Sequence, residues 1–136
     1  MIRLLARSAL VLSLALAACG DDDDPTGPGT VTLLTSGTPV TNISGAFNSQ
    51  KLYRIPVAAG ATRLTVTTSG GSGDVDILVR RGSPPTETSV DDCESLNFGN
   101  DDSCILTNPP AGDWFILLYG SEAYSGATLT ATVTRP

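Results

Sequence analysis

The segment Ala127-Thr128-Leu129-Thr130-Ala131-Thr132-Val133-Thr134 decides the fold class, because apolar and polar residues alternate along its whole length. Successive side chains of a β-strand point to opposite faces of the sheet, so the four apolar residues share one face and the threonines share the other. The same alternation occurs in Arg63–Thr68, where a threonine separates Leu64 from Val66. Both segments therefore predict strands with one face in a core and one face in solvent.

The rest of the chain after Thr30 consists of short runs rich in Val, Ile, Leu and Thr, separated by clusters of Gly, Pro, Ser and Asn. Such clusters supply the backbone conformations that tight turns need. The predicted strands are Val31–Leu34, Lys51–Val57, Arg63–Thr68, Val75–Arg81, Ser89–Asp92, Cys104–Thr107, Trp114–Tyr119 and Ala127–Thr134. About eight short strands in one domain predict an all-β fold, an antiparallel two-sheet β-sandwich that is jelly-roll-like.

The predicted strand Trp114–Tyr119 differs from the others because both of its faces are apolar. Only one face of a strand in a two-layer sandwich is buried by the core, so the second face must lie under a loop or contact a partner. The long segment Arg81–Ser103 is the candidate cover. If this face is open instead, Phe115 and Tyr119 form the candidate binding surface.

The composition excludes several classes of function. The chain has 136 residues, no histidine, a single lysine (Lys51) and a formal net charge of −6. A nucleic-acid site needs a basic face, so we predict no nucleic-acid partner. A serine nucleophile needs an activating base, and the sequence has neither a histidine nor a Gly-x-Ser-x-Gly or Ser-x-x-Lys motif. We therefore predict that the chain is not an enzyme.

The N-terminus has the pattern of a secretory targeting segment. Arg3 and Arg7 precede the short apolar run Ser8–Ala15, which is too short to span a bilayer. The following Leu16-Ala17-Ala18-Cys19 resembles a bacterial lipobox. This predicts a lipoprotein signal peptide over residues 1–18, cleavage before Cys19 and lipidation of its thiol. An ordinary signal peptide with an incidental cysteine is the alternative.

The residues after Cys19 predict an anchored but mobile connection. Gly20–Thr30 contains four consecutive aspartates and is otherwise rich in Pro and Gly, a composition that cannot offset the entropy of ordering. We therefore expect residues 19–30 to form a lipidated, disordered acidic tether. Gly20, rather than Asp, follows the cysteine, and by resemblance to enteric lipoproteins this favours the outer membrane, on its periplasmic or surface face.

Two further cysteines, Cys93 and Cys104, remain in a chain predicted to be exported. An even pair in an oxidising compartment predicts a disulfide. Closing this loop is worth about 3 kcal/mol in the chain-entropy model. The alternative is a redox or metal-binding pair, which their wide spacing and the absence of histidine disfavour.

Three blocks of sequence carry a family resemblance. They are Gly73–Arg80 with Gly82-Ser83-Pro84-Pro85, then Cys93 to Cys104, then Pro109–Trp114 with Tyr124–Thr130. In this order they resemble the bacterial pre-peptidase C-terminal domain, over roughly Thr30–Arg135. The resemblance implies a non-catalytic β-sandwich, spanning 31–136, of the kind that secreted peptidases carry for secretion, localisation or substrate attachment. A related module in clostridial collagenases binds collagen and calcium.

Acidic residues in the same region are weak candidates for a calcium site. They are Asp74, Asp76, Asp91, Asp92, Asp101 and Asp102. Asp74 and Asp76 share a strand face if the strand begins at Asp74, and carboxylate oxygens are the ligands that calcium prefers. The structural alternative is that Asp74 caps a turn and that Asp76 pairs with Arg80 or a backbone amide. We predict no cofactor, with calcium left open.

Together these observations predict a membrane-anchored, non-catalytic accessory or attachment module at the bacterial cell envelope. Its partners would be the membrane, through the lipid on Cys19, and an extracellular or envelope protein or a polysaccharide. The expected contact surface lies near Phe115, Tyr119 and the Cys93–Cys104 loop. The alternatives are a structural envelope lipoprotein with a protein partner and no soluble ligand, or a calcium-stabilised module.

Overall fold

Residues 30–136 are described by a computed structural model, in which every regular element is a β-strand. The predicted signal peptide, Cys19 and residues 20–29 of the tether lie outside the described residues. The strands are β1 (Val31–Leu33), β2 (Val40–Gly45), β3 (Gln50–Val57), β4 (Arg63–Ser69), β5 (Val75–Arg81), β6 (Cys93–Ser95), β7 (Asp102–Thr107), β8 (Gly112–Gly120) and β9 (Tyr124–Thr134). No helix capable of spanning a bilayer occurs within this part of the chain.

The strands form two sheets that enclose one core. The five-stranded sheet has the order β1-β3-β8-β5-β6, and the four-stranded sheet has the order β2-β9-β4-β7. Leu64, Val66 and Leu129, which alternation assigned to the core, have no exposed surface, and neither have Ile77 of β5 and Ile116 of β8. The predicted all-β, two-sheet sandwich is confirmed.

Three details differ from the sequence-based prediction. The described chain has nine strands rather than about eight, and β2 was missed because it is irregular. The register of β2 against β9 shifts twice, and Asn42 has a φ of 59°, so the side chains of β2 do not alternate between the two faces. β1 pairs with β3 in parallel, since the intervening β2 crosses to the other sheet. Ser89–Asp92 is not a strand, because the strand at this edge, β6, begins at Cys93.

The outermost strands of both sheets are short or irregular. β1 and β6, the two edges of the five-stranded sheet, have three residues each. In the four-stranded sheet one edge is the bulged β2 and the other is β7, where the Ser103 amide donates to Ser95 Oγ at 3.2 Å.

A disulfide joins Cys93 of β6 to Cys104 of β7, with their Cα atoms 5.9 Å apart. β6 belongs to the five-stranded sheet and β7 to the four-stranded sheet, so the bond links the two layers along one side of the sandwich. Cys104 has no exposed surface and belongs to the core cluster. The predicted disulfide is therefore present, and it fastens the layers together.

The segment Gly82–Asp92, called the outer loop below, covers part of the outer face of the five-stranded sheet. Its ends are held together, because the Arg81 amide donates to Asp92 Oδ2 at 2.7 Å. Near its tip, Glu87 Oε1 accepts a hydrogen bond from Gln50 Nε2 at 2.8 Å. β8 lies between β5, where the loop starts, and β3, which carries Gln50, so the loop must cross β8. This is the compact, end-closed geometry of an Ω-loop.

The outer loop explains why two leucines that are not part of the core are nevertheless buried. Leu78 of β5 and Leu117 of β8 point away from the core, yet each is less than a tenth exposed. The register places them side by side. Segment Arg81–Ser103 was the predicted cover for this face, and its first half lies across it.

The loops gather at two ends of the sandwich. The β2–β3, β4–β5, β6–β7 and β8–β9 connections lie at one end, called the Gly70 end below. The β3–β4 and β7–β8 connections, and the base of the outer loop, lie at the other, called the Asn108 end. β1 runs parallel to β3, with Val31 opposite Leu52, so the chain enters β1 from the Gly70 end.

Candidate binding surface

The two aromatic residues predicted to form a binding surface, Phe115 and Tyr119, lie on the outer face of β8 as expected, but at opposite ends of it. Tyr119 is half-buried at the Gly70 end, where its hydroxyl donates to Asn48 Oδ1 at 2.5 Å. Its neighbour in the register is Gln50, the residue that holds the outer loop. Tyr119 is thus occupied by contacts within the protein, whereas Phe115 lies at the Asn108 end, away from the loop tip, and is partly exposed.

Phe115 is flanked by two arginines, because the register places Arg54 of β3 on one side and Arg80 of β5 on the other. Arg54 Nη1 contacts Asp113 Oδ2 at 2.9 Å, and the two side chains are 39% and 42% exposed. Such a solvated pair contributes only about 0–1 kcal/mol to stability. Within residues 30–136 the side chain of Arg80 makes no ion pair or hydrogen bond. We call Arg54, Phe115 and Arg80 the arginine–phenylalanine row.

An open cleft of about 440 Å3 adjoins the row at the Asn108 end. It is lined by Arg80, Arg81, Gly82, Val90, Asp92, Gly112 and Asp113. Most of these polar groups already have partners. The Arg81 guanidinium donates twice to the Ala111 carbonyl, at 3.0 and 2.5 Å, and Asp92 accepts from the Arg81 amide. Arg80 is therefore the lining cation left available to a ligand. A second cleft of about 500 Å3, lined mainly by Leu34, Ile55, Pro56 and Val133, contains no aromatic side chain.

The β6–β7 loop presents an aromatic residue that sequence reasoning did not single out. Phe98 is fully exposed, although the loop around it is tightly held. Asp102 Oδ1 accepts hydrogen bonds from the Asn97 amide at 3.1 Å and from Asn97 Nδ2 at 2.8 Å. Asp74 Oδ1 accepts from the Gly99 amide at 3.2 Å. Hydrophobic periodicity carries no information about a loop residue. The signal available in the sequence was an aromatic residue between two turn-forming residues, Asn97-Phe98-Gly99, within the loop that the disulfide closes.

The six acidic candidates for a calcium site do not come together. Asp91 and Asp92 belong to the outer loop, whereas the other four lie at the Gly70 end. Asp101 Oδ1 accepts from the Gly70 amide, and Asp102 holds the β6–β7 loop. Asp76 accepts from the Ser121 hydroxyl rather than pairing with Arg80. No group of three or more acidic or cysteine side chains arranged to hold a metal occurs in residues 30–136.

Burial raises the pKa of Asp76 above its ordinary value of 3.8, and the nearby carboxylates of Asp74 and Asp102 raise it further, against the hydrogen bond from Ser121. The folded protein therefore holds this proton more readily than the unfolded chain. Stability from this group increases as the pH falls from the raised pKa toward the ordinary one.

We expect Asp76→Asn to raise the melting temperature at pH 7.5, because the amide removes the cost of a buried charge. The gain should shrink as the pH is lowered toward 4, because a growing fraction of the wild-type carboxyl is then protonated. Melting curves from pH 4 to 8 measure both effects. Asp102→Ala is the contrasting variant, and should destabilise because Asp102 Oδ1 accepts hydrogen bonds from the Ser95 hydroxyl and from the backbone and side-chain amides of Asn97. A gain for Asp76→Asn that grows on acidification would contradict the assignment.

The fold and this surface define a class of protein: a two-sheet β-sandwich module that presents side chains from strand faces and loop tips. The family model of the bacterial pre-peptidase C-terminal domain matches residues 50–120, and the chain belongs to this family. This match confirms the resemblance seen in the sequence. The family is a non-catalytic module of proteases.

Individual relatives agree with this assignment. The chain is 38% identical over 125 residues to alkaline serine exoprotease A of Vibrio alginolyticus, a match that covers 90% of this chain and 23% of that protein. The solution structure titled vEP C-ter 100 is 37% identical, with a TM-score of 0.61, and the match covers 74% of this chain and 98% of that one. The pre-peptidase C-terminal domain of a Bacillus anthracis collagenase shares the fold, with a TM-score of 0.59, 12% identity, and coverage of 78% and 98%. The chain thus spans about a quarter of the length of the exoprotease that it matches.

Proposed function

We propose that this protein is a membrane-anchored, non-catalytic attachment module that binds a protein or polysaccharide of the cell envelope through the arginine–phenylalanine row. The observation that carries the proposal is Arg80, a cation without a partner in the described structure, next to the exposed part of Phe115 and an open cleft. In a chain with 14 acidic and 8 basic residues, an unpaired arginine beside an aromatic ring is a distinctive feature.

The chemistry of the row suits a polymer with polar or anionic groups. Phe115 offers an apolar ring for stacking or burial, and the Arg80 guanidinium offers planar donors that fit a carboxylate. All three residues of the row lie on paired strands rather than on loops, so little backbone conformational entropy is lost when a ligand binds. Aromatic and arginine residues also dominate the binding energy of most protein interfaces.

The proposed location is the outer membrane of a bacterial envelope, with the lipid carried by Cys19 after removal of residues 1–18. The lipobox-like Leu16-Ala17-Ala18-Cys19 and the acidic segment that follows it support this. The disulfide between Cys93 and Cys104 agrees with an exported domain. Secreted proteases among the relatives point to the same side of the inner membrane.

We expect Phe115→Ala and Arg80→Ala each to weaken retention of the purified mature chain on its polymer about tenfold, equivalent to about 1.4 kcal/mol. Neither side chain belongs to the core, so the melting temperature should stay close to that of the wild type. Retention is measured on insoluble collagen, chitin and peptidoglycan, by the fraction of protein left in the supernatant as the polymer is titrated.

Tyr119→Phe is the matched control, because it removes only the hydroxyl that contacts Asn48 and leaves the row intact. It should bind as the wild type does. Unchanged retention of the Phe115→Ala/Arg80→Ala double variant would reject the row as the site. If no polymer retains the wild type while cross-linking in cells yields one dominant envelope protein, the structural lipoprotein becomes the better description.

A further inference from the structure

The Gly70 end of the sandwich exposes large apolar side chains on separate loops. Phe47 of the β2–β3 loop is 65% exposed, Leu96 of the β6–β7 loop is 61% exposed, and Phe98 has no part of its side chain covered. The chain has three phenylalanines, so two of the three lie exposed at this one end. Exposed aromatic residues at neighbouring loop tips indicate a contact surface.

Both loops are held by backbone hydrogen bonds. In the β2–β3 loop the Asn48 amide donates to the Gly120 carbonyl at 2.8 Å, and the Gly120 amide donates to the Ser49 carbonyl at 3.0 Å. Gly120 in turn pairs with Val75, whose amide donates to the Gly99 carbonyl in the β6–β7 loop at 3.4 Å. Counted across the strands, the backbones of the two loops are therefore about three inter-strand spacings apart, which is roughly 15 Å.

The N-terminal segment reaches the domain at this same end. β1 runs parallel to β3, and Thr30 precedes it beside Lys51, close to the start of β3. Residues 20–29 connect Thr30 to Cys19 and reach about 40 Å at full extension. A lipid on Cys19 would thus attach the domain to the bilayer from the Gly70 end.

We propose that Phe47 and Phe98 insert into the interface of the lipid bilayer that anchors the protein. The inference rests on the proposed lipidation of Cys19. Amphipathic and aromatic side chains favour the membrane–water interface, and a tether supplies the second attachment that makes weak insertion effective. The exposed acids Asp101 and Glu122 lie at this end, so the surface suits zwitterionic rather than anionic lipid headgroups. Docking in this orientation directs the arginine–phenylalanine row and its cleft away from the membrane.

Tryptophan reporters test this orientation in the full lipidated protein. Phe47→Trp and Phe98→Trp place an indole at each tip, and Val90→Trp places one at the Asn108 end, where Val90 is 91% exposed. The native Trp114 is 2% exposed and hydrogen-bonded to the Pro110 carbonyl, so its emission gives a constant background. Each variant is reconstituted into phosphatidylcholine vesicles with and without brominated acyl chains, which quench only indoles at membrane depth.

The expected result is that bromine removes at least half of the added emission at positions 47 and 98, with a shift to shorter wavelength, and little at position 90. Flotation of the vesicles and the mass of the acylated chain report the anchor separately, with Cys19→Ser as its negative control. A floating protein without quenching at 47 and 98 overturns the docking and leaves the anchor standing. Equal quenching at position 90 overturns the orientation. A chain that is not acylated and does not float overturns the anchor and the docking with it.

A different occupant of the Gly70 end would also be visible. If Phe47→Ala and Phe98→Ala reduce retention on collagen, chitin or peptidoglycan and bromine quenches neither reporter, the loop tips bind the polymer instead of lipid. That result would overturn the membrane assignment.

Discussion

Gly71→Ala should lower the free energy of unfolding by about 3–5 kcal/mol, whereas Gly70→Ala should lower it by only about 1–2 kcal/mol. The two glycines are adjacent and both have a positive φ, 75° for Gly70 and 71° for Gly71. This left-handed conformation costs any residue with a Cβ roughly 1–2 kcal/mol. The conformational penalty is therefore common to both variants, and the difference between them measures the space around each position.

The space available for a Cβ differs sharply between the two positions. A Cβ on Gly71 would overlap the Ser125 carbonyl oxygen and lie 2.7 Å from the Gly126 carbonyl carbon, whereas a Cβ on Gly70 would find its nearest atom at 3.9 Å. Ser72 and Ser125 exchange two backbone hydrogen bonds of 2.9 Å at this point. Moving the backbone to relieve the overlap would lose them, at about 0.5–1.5 kcal/mol each.

Denaturant unfolding of the two variants and the wild type, as mature chains with an intact disulfide, measures the difference. Equal losses for Gly70→Ala and Gly71→Ala would show that the β4–β5 loop and the start of β9 do not approach each other closely. Such a result would also remove one of the contacts that order the Gly70 end.

Removing the Cys93–Cys104 disulfide should cost about 3 kcal/mol of stability, because the bond closes a loop with a sequence separation of 11 residues. For a domain of this size the melting temperature should fall by roughly 12–20 °C. The β6–β7 loop should also lose order, since it is then held by strand pairing and hydrogen bonds alone, among them those to Asp74 and Asp102.

The measurement compares a Cys93→Ala/Cys104→Ala variant with the wild type before and after reduction by dithiothreitol. The reduced wild type is the matched control, because Cys104 is buried and its replacement by alanine also removes a sulfur atom from the core. Hydrogen exchange at Asn97 and Gly99 reports the loop. A melting temperature unchanged by both treatments would mean that strand pairing alone sets the stability of this side of the sandwich.

Much of the fold could be predicted from the sequence because most strands bury one face. The bounds of β5, Val75–Arg81, were predicted as observed, and β4 and β9 differ from prediction by one to three residues. β2 could not be predicted, since Asn42, Ser44 and two register shifts erase the alternation. The parallel pairing of β1 depends on which sheet the next strand joins, and a local pattern carries no such information.

For the candidate binding surface, the sequence could predict which strand face is involved but not which side chains surround it. Two apolar faces on β8 showed that something must cover or contact the outer side, and both outcomes occur on the same strand: Leu117 is buried under the outer loop, and Phe115, two residues nearer the Asn108 end, is partly exposed. The flanking arginines depend on strand order and register, which place Arg54 and Arg80 on either side of Phe115 although they are far apart in sequence.

The short and irregular outer strands have a consequence for crowding. An open sheet edge with a long row of free amides and carbonyls recruits the edge of another molecule, and this is how β-proteins aggregate. Here the edges β1 and β6 offer three residues each, β2 is bulged, and β7 has its Ser103 amide occupied by Ser95. Neighbouring copies therefore find little edge on which to extend a common sheet, and many molecules can stand close together without fusing into fibres.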